Sequence, residues 1–346
     1  MGIGAQTTTK VLPAGMDLVE GPSVYTYPFG RPDGAIQLLY DATRVTQGVG
    51  LVTGLRFRQS QVTAAQTHPG YTKDYKVTAY TVTTSAAGMV ADLATNVGSA
   101  VGHVAFQGTL TLPPIQPLAV QPAPFNITIP FTSPFAFDGS QGNLLLVVET
   151  DDLNAVQSGY RIDAVNFSAS QVTGLTTSID VQGCAVGANS LALTCSETSV
   201  VVGGSLTQTV TSSVTGAFPV IFAAVGLGGQ AVDLTPYGMV GCTQWPSSPL
   251  VQLTLENTTG GYPPIAWSLP NAPSIEGVGL VSQAFGVAAS GALSASVTSN
   301  GVGSRIGGAA GPTVDMGMAF RSSSGSWFMG TNGVFVAVAE LEGIFP

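Results

Sequence analysis

Residues 134–152 read PFAFDGSQGNLLLVVETDD. Asp138, Gly139, Ser140, Gln141 and Gly142 are turn chemistry, because glycine accepts positive φ and Asp and Ser can bond their own backbone. Residues 144–148 then form an unbroken apolar run with two β-branched members. Such a run predicts a strand covered on both faces, as in the middle of a sandwich. Amphipathic strands surround it. Val104, Phe106, Leu110 and Leu112 alternate with Gln107, Thr109 and Thr111, and Phe125, Ile127 and Ile129 alternate with Asn126 and Thr128. Each pattern predicts one buried and one solvated face. The link between them, PPIQPLAVQPAP, is too rich in proline to pair as a central strand.

Composition agrees with an all-β protein. Charged residues are 8% of the 346, where roughly 25% is usual, and long helical stretches rich in Glu, Lys and Leu are absent. The net charge of -9 comes without a basic tract, which excludes the electrostatic footprint of a nucleic-acid binder and disfavours an anionic membrane surface. Residues 217–227 are the most apolar run, yet they contain Pro219 and are too short to span a bilayer. Gly4-Ala5-Gln6 reads as the stub of a signal-peptide cleavage site.

Residues 25–59 contain YTYPFGRPDGAIQLLYDATRV and GLVTGLRFRQ, and residues 142–149 are GNLLLVVE. This resembles the first module of β-rich secreted proteins of environmental bacteria, with a YPFG, QxxYDA, ITGLxFR pattern, over roughly residues 23–170. PYGMVGCTQW, IAWSLPNAPSIEGVGLVSQAFGV and SVTSNG then follow in order. They resemble the C-terminal module of the same uncharacterised proteins over about 182–308. The resemblance implies two secreted β modules and an extracellular fibril subunit.

The expected layout is an N-terminal extension over 1–22 and a jelly-roll-like domain over 23–172. An Ig-like sandwich over 173–310 and a C-terminal hairpin tail over 311–346 follow, with 171–180 as linker. Two hairpins are expected. One pairs 251–255 with 265–269, placing Ile265, Trp267 and Leu269 on one buried face. The other turns at Asn332-Gly333. Cys184 and Cys195 flank turn residues in CAVGANSLALTC, and a disulfide between them is expected, leaving Cys242 free.

No catalytic set is legible, so the reading is not an enzyme, with no cofactor. Glu149, Asp151, Asp152 and Asn154 form the densest oxygen cluster but lack calcium-loop spacing. His68 and His103 read as packing or surface residues, and Trp245, Trp267 and Trp327 as core before they read as sugar platforms. Asn126, Asn166 and Asn257 stand in glycosylation triplets. Thr7, Thr8, Thr9, Lys10, Val11 and Leu12 have strand propensity and end at Pro13. An isolated strand must add to a sheet edge, in its own chain or in a neighbour. The expected function is therefore an extracellular or cell-surface structural subunit. It would polymerise with itself head to tail by donating residues 7–12 to the next copy. A glycan-binding or adhesive module is the alternative, and a capsid-type jelly roll comes last because it would carry a basic arm.

Overall fold

A computed structural model describes residues 7–61, 67–118, 121–150, 159–166, 175–179, 183–196, 199–228, 231–257, 261–308, 316–322, 324–329 and 335–346. Among these, strands dominate and the α-helices are two short ones, α1 (Ala42–Val45) and α2 (Leu93–Val97). The first strands are β1 (Thr8–Leu12), β2 (Ser23–Tyr25), β3 (Gly34–Tyr40), β4 (Val49–Phe57) and β5 (Tyr71–Val82). Then come β6 (His103–Leu112), β7 (Ile127–Asp138), β8 (Asn143–Thr150) and β9 (Ile162–Asn166). A middle group follows: β10 (Leu175–Ser178), β11 (Leu191–Cys195), β12 (Ser205–Ser212), β13 (Val220–Leu227), β14 (Val232–Asp233) and β15 (Thr243–Gln244). It continues through β16 (Ser247–Leu255), β17 (Ile265–Ser268), β18 (Gly279–Val287), β19 (Val297–Thr298) and β20 (Val302–Arg305). The last strands are β21 (Met316–Arg321), β22 (Trp327–Met329), β23 (Phe335–Ala337) and β24 (Ala339–Ile344).

The apolar run at 144–148 becomes β8, which lies between β3 and β5 in the sheet β22-β21-β3-β8-β5-β6. Leu144, Leu146 and Val148 point into the main core, against the facing sheet β1-β24-β4-β7. Leu145 and Val147 point the other way, onto a smaller cluster where Met89 and the α2 residues Leu93 and Val97 cover the sheet. A strand covered on both faces has no need of alternation, and burying each such side chain contributes about 1.5–3 kcal/mol. The turn before β8 forms as its residues require: Asp138 Oδ1 accepts from Ser140 N at 3.0 Å. That turn carries the chain from one sheet to the other, so β7 is not a neighbour of β8. Val104 departs from its expected inward position and is 43% exposed. A bulge opposite Val77 and Thr78 inserts Ala105 into the ladder and reverses the faces.

β10 to β20 pair only among themselves. One sheet runs β10-β20-β18-β13-β16 with β19 beside β18, and β11-β12-β17 faces it. This second sandwich interrupts the first, because β21 to β24 return to the sheets of β1 to β9. The expected C-terminal hairpin is therefore corrected. β22 pairs with β21 and β23 with β9, and Asn332-Gly333 lies outside the described residues. The hairpin expected between 251–255 and 265–269 is corrected too, since β16 pairs with β13 and β17 with β12, on opposite sheets.

The residues expected to form an N-terminal extension are built into the fold. β1 pairs antiparallel with β24 of its own chain, Thr8 opposite Gly343 and Leu12 opposite Ala339. Beyond it the chain runs between the two sandwiches. Met16 and Val19 are buried in the first core, while Leu18 packs on Ile179 and Val281 of the second sandwich. Arg305 Nε donates to Ala14 O at 2.6 Å, and Glu20 N donates to Thr177 Oγ1 at 3.2 Å. Leu18 fits because its neighbours there lack side chains. A Cβ at Gly303 would stand 2.1 Å from Leu18 O. Gly303→Ala is expected to cost about 1–3 kcal/mol in denaturant unfolding, the range for overpacking.

Candidate functional site: an unpaired edge strand and an apolar groove

β16 ends its sheet, with β13 on one side and no strand among the described residues on the other. Val251, Leu253 and Leu255 stand opposite Ala224, Phe222 and Val220 and share the outer face, while Leu250 opposite Val225 faces inward. These four β16 side chains are 53%, 52%, 57% and 67% exposed. The alternation of 251, 253 and 255 with polar residues thus marks an outer face and not a core one. Period-2 alternation marks two faces of a strand but does not say which face a second layer covers. From Ser247 to Leu255 there is no charged residue. Edges are ordinarily guarded by lysine, a bulge turned outward or a covering loop. Here, among the described residues, Pro249 and the register shift beside it, opposite Val225 to Leu227, guard only one end.

The facing sheet ends nearby at β17, whose strand partner is β12 alone. Between the two edges lies an open groove of about 420 Å³. Its walls include Leu206, Val225, Leu250, Trp267, Leu280 and Ile306, and no lining residue is charged. Trp267 was expected to be largely buried beside Ile265 and Leu269. Ile265 is buried, but Trp267 and Leu269 are half-buried because β17 is an edge. The indole Nε1 of Trp267 finds no acceptor among the described residues. An extended segment laid along β16 would supply backbone partners for the open edge and apolar side chains for the groove.

The remaining candidates are placed elsewhere. Cys184 bonds to Cys242, not to Cys195, which corrects the expected pairing. Val186 and Asn189 close a tight turn of their own, and β11 then pairs with β12, so the segments carrying Cys184 and Cys195 never form a hairpin. Asn126 and Asn257 are exposed, whereas Asn166 is half-buried at the end of β9. His68 accepts from Gly70 N and packs on Tyr71 and Tyr160, and His103 bonds Ser133 O. Glu149 pairs with Lys76 at 2.9 Å, and Asp151, Asp152 and Asn154 lie outside the described residues. Among the described residues no metal-type cluster of three forms. A polar cleft of about 670 Å³ on the outer face of the six-stranded sheet of β3, β5 and β8 includes Asp74, Lys76, Gln107 and Arg321, with no tryptophan in its lining. Trp245 and Trp327 are half-buried, so neither is the open platform that a glycan reading needs.

One buried charge set holds the N-terminal segment to the first sandwich. Arg58 and Asp163 are fully buried and meet at 2.6 Å, and Arg58 Nη2 also donates to Val19 O. Gly21 N donates to Asp163 Oδ1, and Gln61 N to Glu20 Oε1. Burial, and then the charge of Asp163, push the Glu20 carboxyl up to about 7 against the pull of Arg58. Burial raises the Asp163 carboxyl as well, so the two carboxylates beside one guanidinium make a site that favours a bound proton.

Comparison with known protein families and with characterised proteins finds no match. No helix among the described residues is long and apolar enough to cross a membrane.

Two outcomes follow from this geometry. Because the Glu20 value is raised in the folded state, its stabilising contribution is complete below about 4.5 and fades as pH rises through about 7. Unfolding measured at about pH 5 and about pH 8 should show the native chain losing up to about 3 kcal/mol relative to Glu20→Gln. Parallel curves for the two proteins would contradict it. Non-reducing peptide mapping should recover Cys184 linked to Cys242, a closure over 58 residues. By chain entropy that is worth about 4 kcal/mol. A Cys184–Cys195 peptide would refute it.

Proposed function

We propose that this chain is a structural subunit of an extracellular assembly whose copies join by strand addition at β16. The observation that carries the reading is the uncharged, exposed edge of β16 beside its apolar groove. Exposed apolar surface of this kind marks an interaction site in a soluble protein. A second copy is the fitting occupant on charge grounds. Copies bearing -9 each repel, and this patch lets them approach without bringing carboxylates together. The disulfide and the scarcity of lysine are consistent with an oxidising, extracellular setting.

The N-terminal strand is the contributing element, in a revised form. Thr8, Thr9, Lys10, Val11 and Leu12 are already paired with β24, and Leu12 is buried, so full donation would strip a satisfied strand. β1 nevertheless ends its own sheet, with no strand among the described residues on its outer edge. Its single charge, Lys10 Nζ, is turned onto Val45 O. Adding the outer edge of β1, with Thr7 beside it, to β16 of the next copy needs no unfolding. The contact joins two different surfaces, so it propagates head to tail.

Leu253→Lys blocks β16 and Thr9→Asp blocks β1, each at an exposed position where stability should change by no more than about 0.5 kcal/mol. Each variant alone should remain monomeric in sedimentation and show no polymer by electron microscopy. Mixing the two should give dimers and nothing larger, since each supplies one intact surface. A monomeric wild-type chain, or polymer from either variant, would refute the reading.

A further inference from the structure

The second sandwich has a polar centre that its stability does not explain. Cys195 and Gln208 are directly opposite each other in the β11–β12 ladder. Cys195 continues the inward face of Leu191 and Leu193. Gln208, Ser282 and Ser304 have no exposed surface. Apolar clusters lie to either side, one with Leu193, Val210 and Ile221, the other with Val202, Leu206 and Val225, and Cys195 packs against both. Gln208 Nε2 donates to Ala224 O at 3.2 Å and to Ser282 Oγ at 2.9 Å. The Ser282 hydroxyl also lies at the Cys195 thiol, whereas Ser304 Oγ finds no partner among the described residues. Among the described residues no donor reaches Gln208 Oε1. A half-buried thiol and a fully buried carboxamide thus meet on one serine hydroxyl, with the carbonyl oxygen unpaired among the described residues. An unsatisfied buried amide costs about 1–3 kcal/mol and asks for a reason.

We propose that Cys195 and Gln208 form an internal thioester, and that this bond is an acyl donor for primary amines on other molecules. Sγ attacks Cδ of Gln208. The Sγ–Cδ bond forms, the Cδ–Nε2 bond breaks with its electron pair going to nitrogen, and the thiol proton passes through Ser282 Oγ to Nε2. Ammonia leaves, and nothing is oxidised or reduced. Cross-strand placement supplies the proximity that makes so weak an encounter productive, and loss of ammonia to bulk draws it forward. An incoming amine later attacks Cδ, forms an amide, and returns its proton to Sγ as the free thiol.

Cys195 is the half-buried member of the group, at the end of its strand, and gives the amine its approach. The amine comes from outside the chain. Of the three lysines, Lys10 is bound to Val45 O, Lys73 is buried against Arg31 O and Pro32 O, and Lys76 pairs with Glu149. This inference does not depend on how copies assemble.

The test is the intact mass of the full chain, purified in amine-free buffer and denatured in acid without reductant. Wild type should be lighter by one ammonia beyond the hydrogens lost to the disulfide, with no titratable thiol. Methylamine should add its own mass once, at Gln208, and release one thiol. Cys195→Ala should have its full mass and ignore methylamine. Full mass in the wild type with one thiol on unfolding would overturn the proposal. So would an ammonia deficit that persists in Cys195→Ala, which would place the loss at another residue.

Discussion

The first sandwich depends on its last strand. β24 lies between β1 and β4, with Leu341 and Ala339 in the core, so the sheet β1-β24-β4-β7 is complete only when the final residues arrive. Until then β4 has one open edge, β1 has no strand partner, and the core beneath them is uncovered. β21, paired to β3, imposes the same wait on the facing sheet. Contacts spanning nearly the whole chain must be closed before they contribute, which makes such a topology slow to form and cooperative once formed. The second sandwich, whose strands pair among themselves, is under no such constraint.

The segment between β1 and β2 ties the two parts together through small, specific contacts rather than a broad apolar surface. Leu18 sits over glycines of the second sandwich, Ala14 holds Arg305, and Glu20 reaches Thr177. The same residues lie beside the buried Arg58–Asp163 pair, whose guanidinium also stacks on Phe125. A buried pair of this kind adds little net stability, but removing one partner leaves an uncompensated charge. It fixes the position of the N-terminal segment more than it strengthens the fold.

With so few charged residues, the surface lacks the common means of keeping sheet edges apart. β16 presents nine uncharged residues at its edge, guarded only at one end by Pro249 and the register shift beside it. Its outer-face side chains Val251, Leu253 and Leu255 and the groove on its inner side, reached by Leu250, are both uncharged.

The sequence by itself determined the all-β class, the doubly covered strand at residues 144–148 and the turn that precedes it, because these follow from local composition and period. It also marked Ile127 and Ile129 as core. Partners were beyond its reach. The runs at 251–255 and 265–269 are adjacent and both alternate, yet they enter opposite sheets, since the loop between them is long enough to cross the sandwich. Cys195 looked like the mate of Cys184 by nearness in the chain, whereas Cys242, 58 residues along, is the one the fold brings to it. Residues 7–12 were legible as a strand, but that the C-terminus would supply their partner was not. Exposure of Val251, Leu253 and Leu255, and the meeting of Cys195 with Gln208, were decided by tertiary structure alone. A strand's period says that it has two faces. Only the layers packed around it decide which face meets water and which side chains meet each other.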